Sequence, residues 1–336
     1  MRLERGRQCA LGKASGFAEV ARDERGGYID ENRDSPGVLV RERRLPAKGE
    51  NVAVKEQNVE VDGLPIRYLS AGEGPPLVLL HGAGDNSLDW RWIMPALAAT
   101  HRVYAPDLPG SPDSARPALD YSPAFFERFL AAFVDALNLG RVTFVGNSLG
   151  GLIVLRLALS EPDRVRALIL VDGAGLGREV NPAFTSVNVP ALGEAAMPFW
   201  RTPVGAYQRA WGRTALLFAD TPETVPREWI AEQKRLALSS GYLEAHLSVL
   251  RALVGPWGQR EVLVDRLPAL AIPTLVVWGH ETGCFHPPRQ KRRPLASGRA
   301  RSPSSPTAAT CPTSSARITS WRLSASSSTD GGIVER

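Results

Sequence analysis

The chain has 336 residues, 43% of them hydrophobic and 22% charged, ordinary values for a soluble globular protein and enough for one large α/β domain with an insertion or for two small domains. No apolar run approaches the roughly 20 residues of a membrane helix, residues 1–17 are too polar for a signal peptide, and Cys9, Cys284 and Cys311 form neither a disulfide nor a metal-ligand pattern; a cytoplasmic protein is expected. The net charge of +5 is concentrated at one end, where residues 283–336 hold nine Lys/Arg against two Asp/Glu, without the aromatic interleaving or basic helix face of a nucleic-acid-binding arm.

In chain order, residues 1–52 are rich in Arg, Glu, Asp and Gly without periodicity and read as a disordered extension. A core then begins, predicted to occupy residues 53–176. Asn58 to Val61 and Pro65 to Leu69 flank Asp62-Gly63 and read as a hairpin. Leu77 to Leu80 is a continuous apolar run, as in a strand buried on both faces. Leu88 to Ala98 reads as helix and Arg102 to Ala105 as strand. Ser122-Pro123 supplies an N-cap and a first-turn proline for a helix running to about Leu137. Val142 to Val145, Leu152 to Leu159 and Ala167 to Val171 form a strand–helix–strand unit. Such alternation predicts a mostly parallel, doubly wound sheet.

From Gly177 to Leu267 the alternation stops, and helical sequence with Phe199, Trp200, Tyr207, Trp211, Phe218, Trp229 and Tyr242 takes over. This segment reads as a helical cap, its aromatics as core. The strand pattern resumes at Thr274 to Trp278, within a core segment of residues 268–282. Residues 283–336, rich in Ser, Pro and Arg, read as a disordered tail.

The most informative stretch is Val142-Thr-Phe-Val-Gly-Asn-Ser-Leu-Gly-Gly151, where a strand breaks into G-x-S-x-G and then a helix. That is a nucleophile elbow: Gly146 and Gly150 leave room for a turn too tight for a β-carbon, and Ser148 is held at its tip. The first N–H groups of the helix point toward whatever the serine attacks.

With Leu79-Leu-His-Gly-Ala-Gly84, Ala105-Pro-Asp-Leu-Pro-Gly110 and Val276-Val-Trp-Gly279, this elbow makes residues 59–279 resemble the α/β-hydrolases. The resemblance implies Ser148 as nucleophile and an oxyanion hole made by the backbone N–H groups of Leu149 and Ala83. His81 and Gly82 would shape the turn, with His81 structural. Asn147 beside the serine is similar to the meta-cleavage product hydrolases, which split a carbon–carbon bond in diketone acids from aromatic catabolism. Ser111-Pro112 departs from the family, whose members usually carry a second glycine before Asp113-Ser114.

A larger departure follows Gly279. The family's acid loop, usually D-x-x-x-P, is replaced by His280-Glu-Thr-Gly-Cys-Phe-His-Pro287, and the last strand, the D-x-G-H turn and the closing helix do not follow. Thr274 to Trp278 would then be an open edge. No triad acid or histidine is identifiable: His81 and His101 lie in or before core elements, His246 is in the cap, and His280, His286 and Glu281 are poorly placed. A reading-frame shift near Glu281-Thr282 accounts for the break, because an alternative frame permits D-R-V-F-P-P there and D-C-G-H-L-P-H-V-E-R-P within Arg301 to Arg317. Three readings stay open: a serine hydrolase of a small organic ester or C–C bond, a catalytically dead product of a shifted frame, and a binding protein that kept the pocket. The expected partner is a small-molecule substrate, with no nucleic acid, membrane, metal or cofactor and with homo-oligomers possible.

Overall fold

The computed structural model describes residues 52–117, 121–217, 225–279, 318–323 and 334–335. A hairpin opens the fold, β1 (Lys55–Val61) with antiparallel β2 (Leu64–Ala71). Asp62 and Gly63 take φ of 48° and 75°, as a two-residue turn with both central residues left-handed requires. β3 (Pro76–Leu80) is buried almost throughout, as its unbroken apolar run predicted.

The helix expected over Leu88 to Ala98 is broken. A 3-10 turn spans Ser87–Trp90 and only α1 (Met94–Leu97) is α-helical. Pro95 accounts for the break: it has no N–H and disfavours helical geometry in the residue before it, so it sits in a first turn and not mid-helix. β4 (Arg102–Pro106) follows, then α2 (Pro123–Ala136), whose Ser122 hydroxyl accepts the Phe125 N–H at 3.3 Å. β5 (Val142–Asn147), α3 (Leu149–Ser160) and β6 (Val165–Val171) complete the strand–helix–strand unit.

Between β6 and the next core strand lie α4 (Pro182–Thr185), α5 (Leu192–Trp200), α6 (Pro203–Leu217), α7 (Arg227–Leu238), α8 (Tyr242–Leu253) and a small hairpin, β7 (Val254–Gly255) with β8 (Gly258–Gln259). Trp229 and Tyr242 are buried there, as expected, but Phe199, Tyr207 and Trp211 are exposed. The buried stripe of α6 consists of Gly205, Ala206, Ala210 and Thr214, small residues that let it lie close to its neighbours and turn its aromatics outward. Phe218 lies outside the described residues. No helix among the described residues is long and apolar enough to cross a membrane.

β9 (Thr274–Gly279) pairs in parallel with β6. The described strands form one sheet in the order β1-β2-β4-β3-β5-β6-β9, continued by β10 (Ile318–Leu323) and β11 (Val334–Glu335). From β4 to β9 all neighbours are parallel. One apolar core packs α2 and α3 on one face of this sheet, and a second, with Trp90 and Met94, lies under the other.

Two expectations are thereby corrected. Part of the stretch read as a disordered tail forms a strand, and β9 is not an open edge, because β10 runs antiparallel to it from Ile318 opposite Gly279 to Leu323 opposite Thr274. An unpaired strand edge is a template for any segment with strand-forming residues, and Ile-Thr-Ser-Trp-Arg-Leu is one. The antiparallel direction distinguishes β10 from the parallel strand that a crossover helix would deliver.

Candidate active site

Sheet order places the candidate residues. After β3 the chain crosses to β4 on one side, and after β5 it crosses to β6 on the other, so a crevice opens at the carboxyl ends of β3 and β5. Leu80 is in register with Gly146. The 81–85 turn after β3 and the 146–150 turn after β5 are therefore neighbours.

Ser148 sits between β5 and α3 with φ 50° and ψ −113°, backbone that side-chain-bearing residues seldom adopt. Its N–H donates to the Val171 carbonyl at 3.1 Å, and its own carbonyl accepts from Ala174 at 2.9 Å. Asn147 Nδ2 donates to the same Val171 carbonyl at 3.2 Å, tying the elbow to the end of β6. A β-carbon on Gly146 would lie 2.4 Å from the Gly150 carbonyl oxygen, and one on Gly150 would lie 2.4 Å from that of Leu80. Leu149 opens α3, so its N–H is one of the four that an α-helix leaves without an internal acceptor.

The facing turn comes close. A β-carbon on Gly82 would be 3.3 Å from Ser148 Cβ and 2.9 Å from Asn147 Oδ1. Leu108 donates its N–H to His81 Nε2 at 3.0 Å, and His81 Nδ1 bonds the Gly82 carbonyl at 2.8 Å. Both ring nitrogens are engaged in shaping the turn. His81, Ala83 and Leu149 line one small cavity together with Gly84, Asp85, His246 and others, of about 20 Å³, room for about one water-sized group.

Several residues that local sequence signals did not mark complete the site. Asp85 Oδ1 accepts from Arg213 Nη2 at 2.8 Å and from Gln233 Nε2 at 3.0 Å. Asn86 Nδ2 donates to Glu232 Oε1 at 2.5 Å, and the Tyr242 hydroxyl donates to the Gly84 carbonyl at 2.7 Å. His246 stacks on Tyr242 at 5.9 Å, and its Nδ1 has no hydrogen-bond partner among the described residues. Burial above all, then Arg209 and Arg213, holds the His246 imidazole well below its usual pKa, so it stays neutral. Burial, then the charge of Asp85, pushes Asp89 well above the usual carboxylate range.

Ser111 explains one departure from the family. Its hydroxyl donates to the Asp85 carbonyl at 3.1 Å, a bond that a glycine at this place could not make. Asp107, in the 105–110 segment, is fully buried and paired with Arg67 at 2.8 Å. Arg67 is thereby held above its usual pKa, chiefly by its bond to Glu56 and also by Asp107. Asp172 follows β6 with φ 46°, and its N–H donates to Val277 at 2.9 Å. The acid-loop candidates His280, Glu281 and His286, and the proposed frame shift, lie outside the described residues.

Residues 75–294 match the alpha/beta hydrolase fold family, and the chain belongs to it. It is 33% identical over 228 residues to an uncharacterised protein of Mycobacterium tuberculosis, covering 65% of each chain. It is 36% identical over 148 residues to the 2-hydroxy-6-oxo-6-(2'-aminophenyl)hexa-2,4-dienoic acid hydrolase of Metapseudomonas resinovorans, covering 43% of this chain and 51% of that one. These matches span about half to two thirds of the relatives' length. A solved serine hydrolase involved in carbazole degradation aligns with a TM-score of 0.55 at 28% identity, covering 68% of this chain and 80% of that one.

Proposed function

We propose that this chain is a serine hydrolase acting on an ester or carbon–carbon bond of a small organic substrate. Ser148 Oγ attacks a carbonyl carbon, giving its proton to solvent water where the family would use a histidine, and the carbonyl oxygen, which takes the electron pair of the broken π bond, is received by the N–H groups of Leu149 and Ala83, each such donor contributing about 10²–10³ in rate. Gly146, Gly150 and Asn147 support the elbow, while His81 and Gly82 shape the facing turn. Helices α4–α8 act as a cap that closes the site. The observation that carries the reading is Ser148 at φ 50° on the β5–α3 junction, with Gly82 of the facing turn against it. The similarity to a hydrolase of a hydroxy-oxo-dienoic acid favours, of the two, a C–C bond in an acid of that kind.

Turnover as written is impaired in this reading, because the sequence after Gly279 offers Ser148 no acid–histidine pair in the family's motif form. Loss of a triad histidine costs on the order of 10⁴–10⁶ in turnover. A fluorophosphonate probe, which bonds covalently to an activated serine, tests both halves. Slow labelling that disappears in Ser148→Ala, with negligible hydrolysis of p-nitrophenyl esters, is expected. Fast, Ser148-dependent ester hydrolysis would overturn the impairment; labelling unaffected by Ser148→Ala would overturn the nucleophile.

A further inference from the structure

Four successive carbonyls of the turn after β3 are each taken by a donor. Gly82 O bonds His81 Nδ1 at 2.8 Å and accepts the Asp85 N–H at 3.4 Å. Ala83 O accepts from Arg213 Nη2 at 3.4 Å, and Gly84 O from the Tyr242 hydroxyl at 2.7 Å. Asp85 O accepts from the Ser111 hydroxyl at 3.1 Å. A peptide unit is planar, with the C=O of one residue opposed to the N–H of the next, so the Gly82 carbonyl sets the direction of the Ala83 N–H, while the Ala83 and Gly84 carbonyls set those of the Gly84 and Asp85 N–H groups.

Arg213 and Tyr242, the donors to the two central carbonyls, come from the helical insertion, on α6 and α8. Arg213 is anchored by Asp85 at 2.8 Å, with both side chains nearly buried, and Gln233 of α7 donates to the same carboxylate oxygen. Gly84 is packed so tightly that a β-carbon there would lie 2.3 Å from His246 Cε1 and 2.9 Å from Arg213 Nη1. With φ at 77°, only glycine adopts that position without strain. The insertion thus bears directly on the backbone that carries Ala83.

We propose that Tyr242 and Arg213 are positioning residues which, by holding the carbonyls of Gly84 and Ala83, fix the two peptide planes that follow Ala83; the Asp85 N–H so oriented donates to the Gly82 carbonyl, whose peptide presents the Ala83 N–H as an oxyanion donor. This rests on the proposed role of Ser148 and gives the insertion a part in the chemistry beyond covering the site. Without those two bonds the planes that follow Ala83 can rotate, the Asp85 N–H no longer holds the Gly82 carbonyl in place, and the donor beside Ser148 loses its alignment.

The test uses the full chain, its Tyr242→Phe and Arg213→Met variants, and Arg213→Lys as the conservative comparison. Fluorophosphonate labelling of Ser148 is followed against probe concentration, and exchange of the amides of residues 82–86 is followed by hydrogen–deuterium mass spectrometry. Tyr242→Phe and Arg213→Met should each lower the maximal labelling rate about tenfold, the worth of one lost hydrogen bond, with half-saturating concentration unchanged. Arg213→Lys should recover part of that loss. Exchange in the 82–86 turn should accelerate while that of β5 stays as in the parent chain. A merely structural role would alter apparent affinity and exchange throughout the insertion, leaving the maximal rate alone. If the parent chain is labelled and the variants match it in maximal rate, the positioning role is overturned and the nucleophile stands. If the parent chain is not labelled, the nucleophile fails, and unchanged exchange in the turn overturns the clamp as well.

Discussion

Leu108 donates its backbone N–H to Nε2 of His81 at 3.0 Å, and that bond decides the state of the imidazole. With Nε2 accepting, the ring proton resides on Nδ1, which donates to Gly82 O at 2.8 Å. His81 therefore joins the β4 loop to the turn facing Ser148, and has no free nitrogen with which to take a proton. His81→Ala strands the buried Leu108 N–H and should lower stability by about 1–3 kcal/mol in chemical denaturation. If His81 were the base, its removal would instead abolish probe labelling with the denaturation midpoint unchanged.

The Arg67–Asp107 pair beneath the same loop is buried on both sides, and Asp107 also accepts the Ser87 N–H at 2.6 Å. Removing one partner leaves the other charge uncompensated in a low-dielectric interior. Asp107→Ala should cost about 3–5 kcal/mol, whereas surface pairs contribute about 0–1 kcal/mol. A loss below 1 kcal/mol in urea denaturation would mean that water reaches Arg67.

Glycine positions supply a contrast of sign. A methyl group on Gly150 would press against the Leu80 carbonyl at 2.4 Å, and backbone in the middle of a sheet cannot yield; Gly150→Ala should destabilise by about 3 kcal/mol. Gly212, on the exposed side of α6, has nothing within 4 Å of a built β-carbon. Gly212→Ala should therefore raise stability by about 0.5–1 kcal/mol through helix propensity alone. Equal shifts in the two melting temperatures would contradict the close approach of the two turns.

The parts of this fold that were legible in the sequence are those specified by neighbouring residues. Asp62-Gly63 announces its own turn, Ser122-Pro123 its own helix start, and Gly146 and Gly150 the elbow around Ser148. Residues brought together from afar carry no such mark: Asp85 meets Arg213 across 128 positions and Gly84 meets Tyr242 across 158. Nothing local to either end specifies the other. The orientation of α6 was hidden for a related reason, since Tyr207 and Trp211 lie four apart and read as a buried stripe while Ala206 and Ala210 take that role. Pro95 was a visible break signal, outweighed in the pattern by the apolar residues around it.

His246 and Asp89 impose opposite pH dependences. The folded state holds His246 neutral, chiefly by burial and then by Arg209 and Arg213. The unfolded chain therefore binds a proton that the folded chain does not, and stability is lost as pH falls below about 6.5. Asp89 has its folded pKa raised, chiefly by burial and then by Asp85, so stability is lost as pH rises above about 3.9. Asp89→Asn should raise the denaturation midpoint at pH 7, with the gain shrinking toward pH 4. His246→Gln should flatten the loss of stability as pH falls below about 6.5. Parallel pH profiles for the parent chain and both variants would remove the two groups as its cause.

Ser148 itself offers the sharpest test of the elbow. At φ 50° and ψ −113° its backbone is held where an L residue is strained, at a cost of about 1–3 kcal/mol, and glycine is not. Ser148→Gly relieves that strain but adds the greater entropy of an unfolded glycine, about 0.5–1 kcal/mol, so a net gain of about 1 kcal/mol is expected. Ser148→Ala removes the hydroxyl and keeps the β-carbon, so it retains the strain and should denature where the parent chain does. Both variants should lose probe labelling. A shared midpoint for Gly and Ala would mean that no strain is stored at this position. A gain confined to Gly, with labelling lost in both, would mean that the strain belongs to the backbone that presents the hydroxyl, a stability cost retained for reactivity.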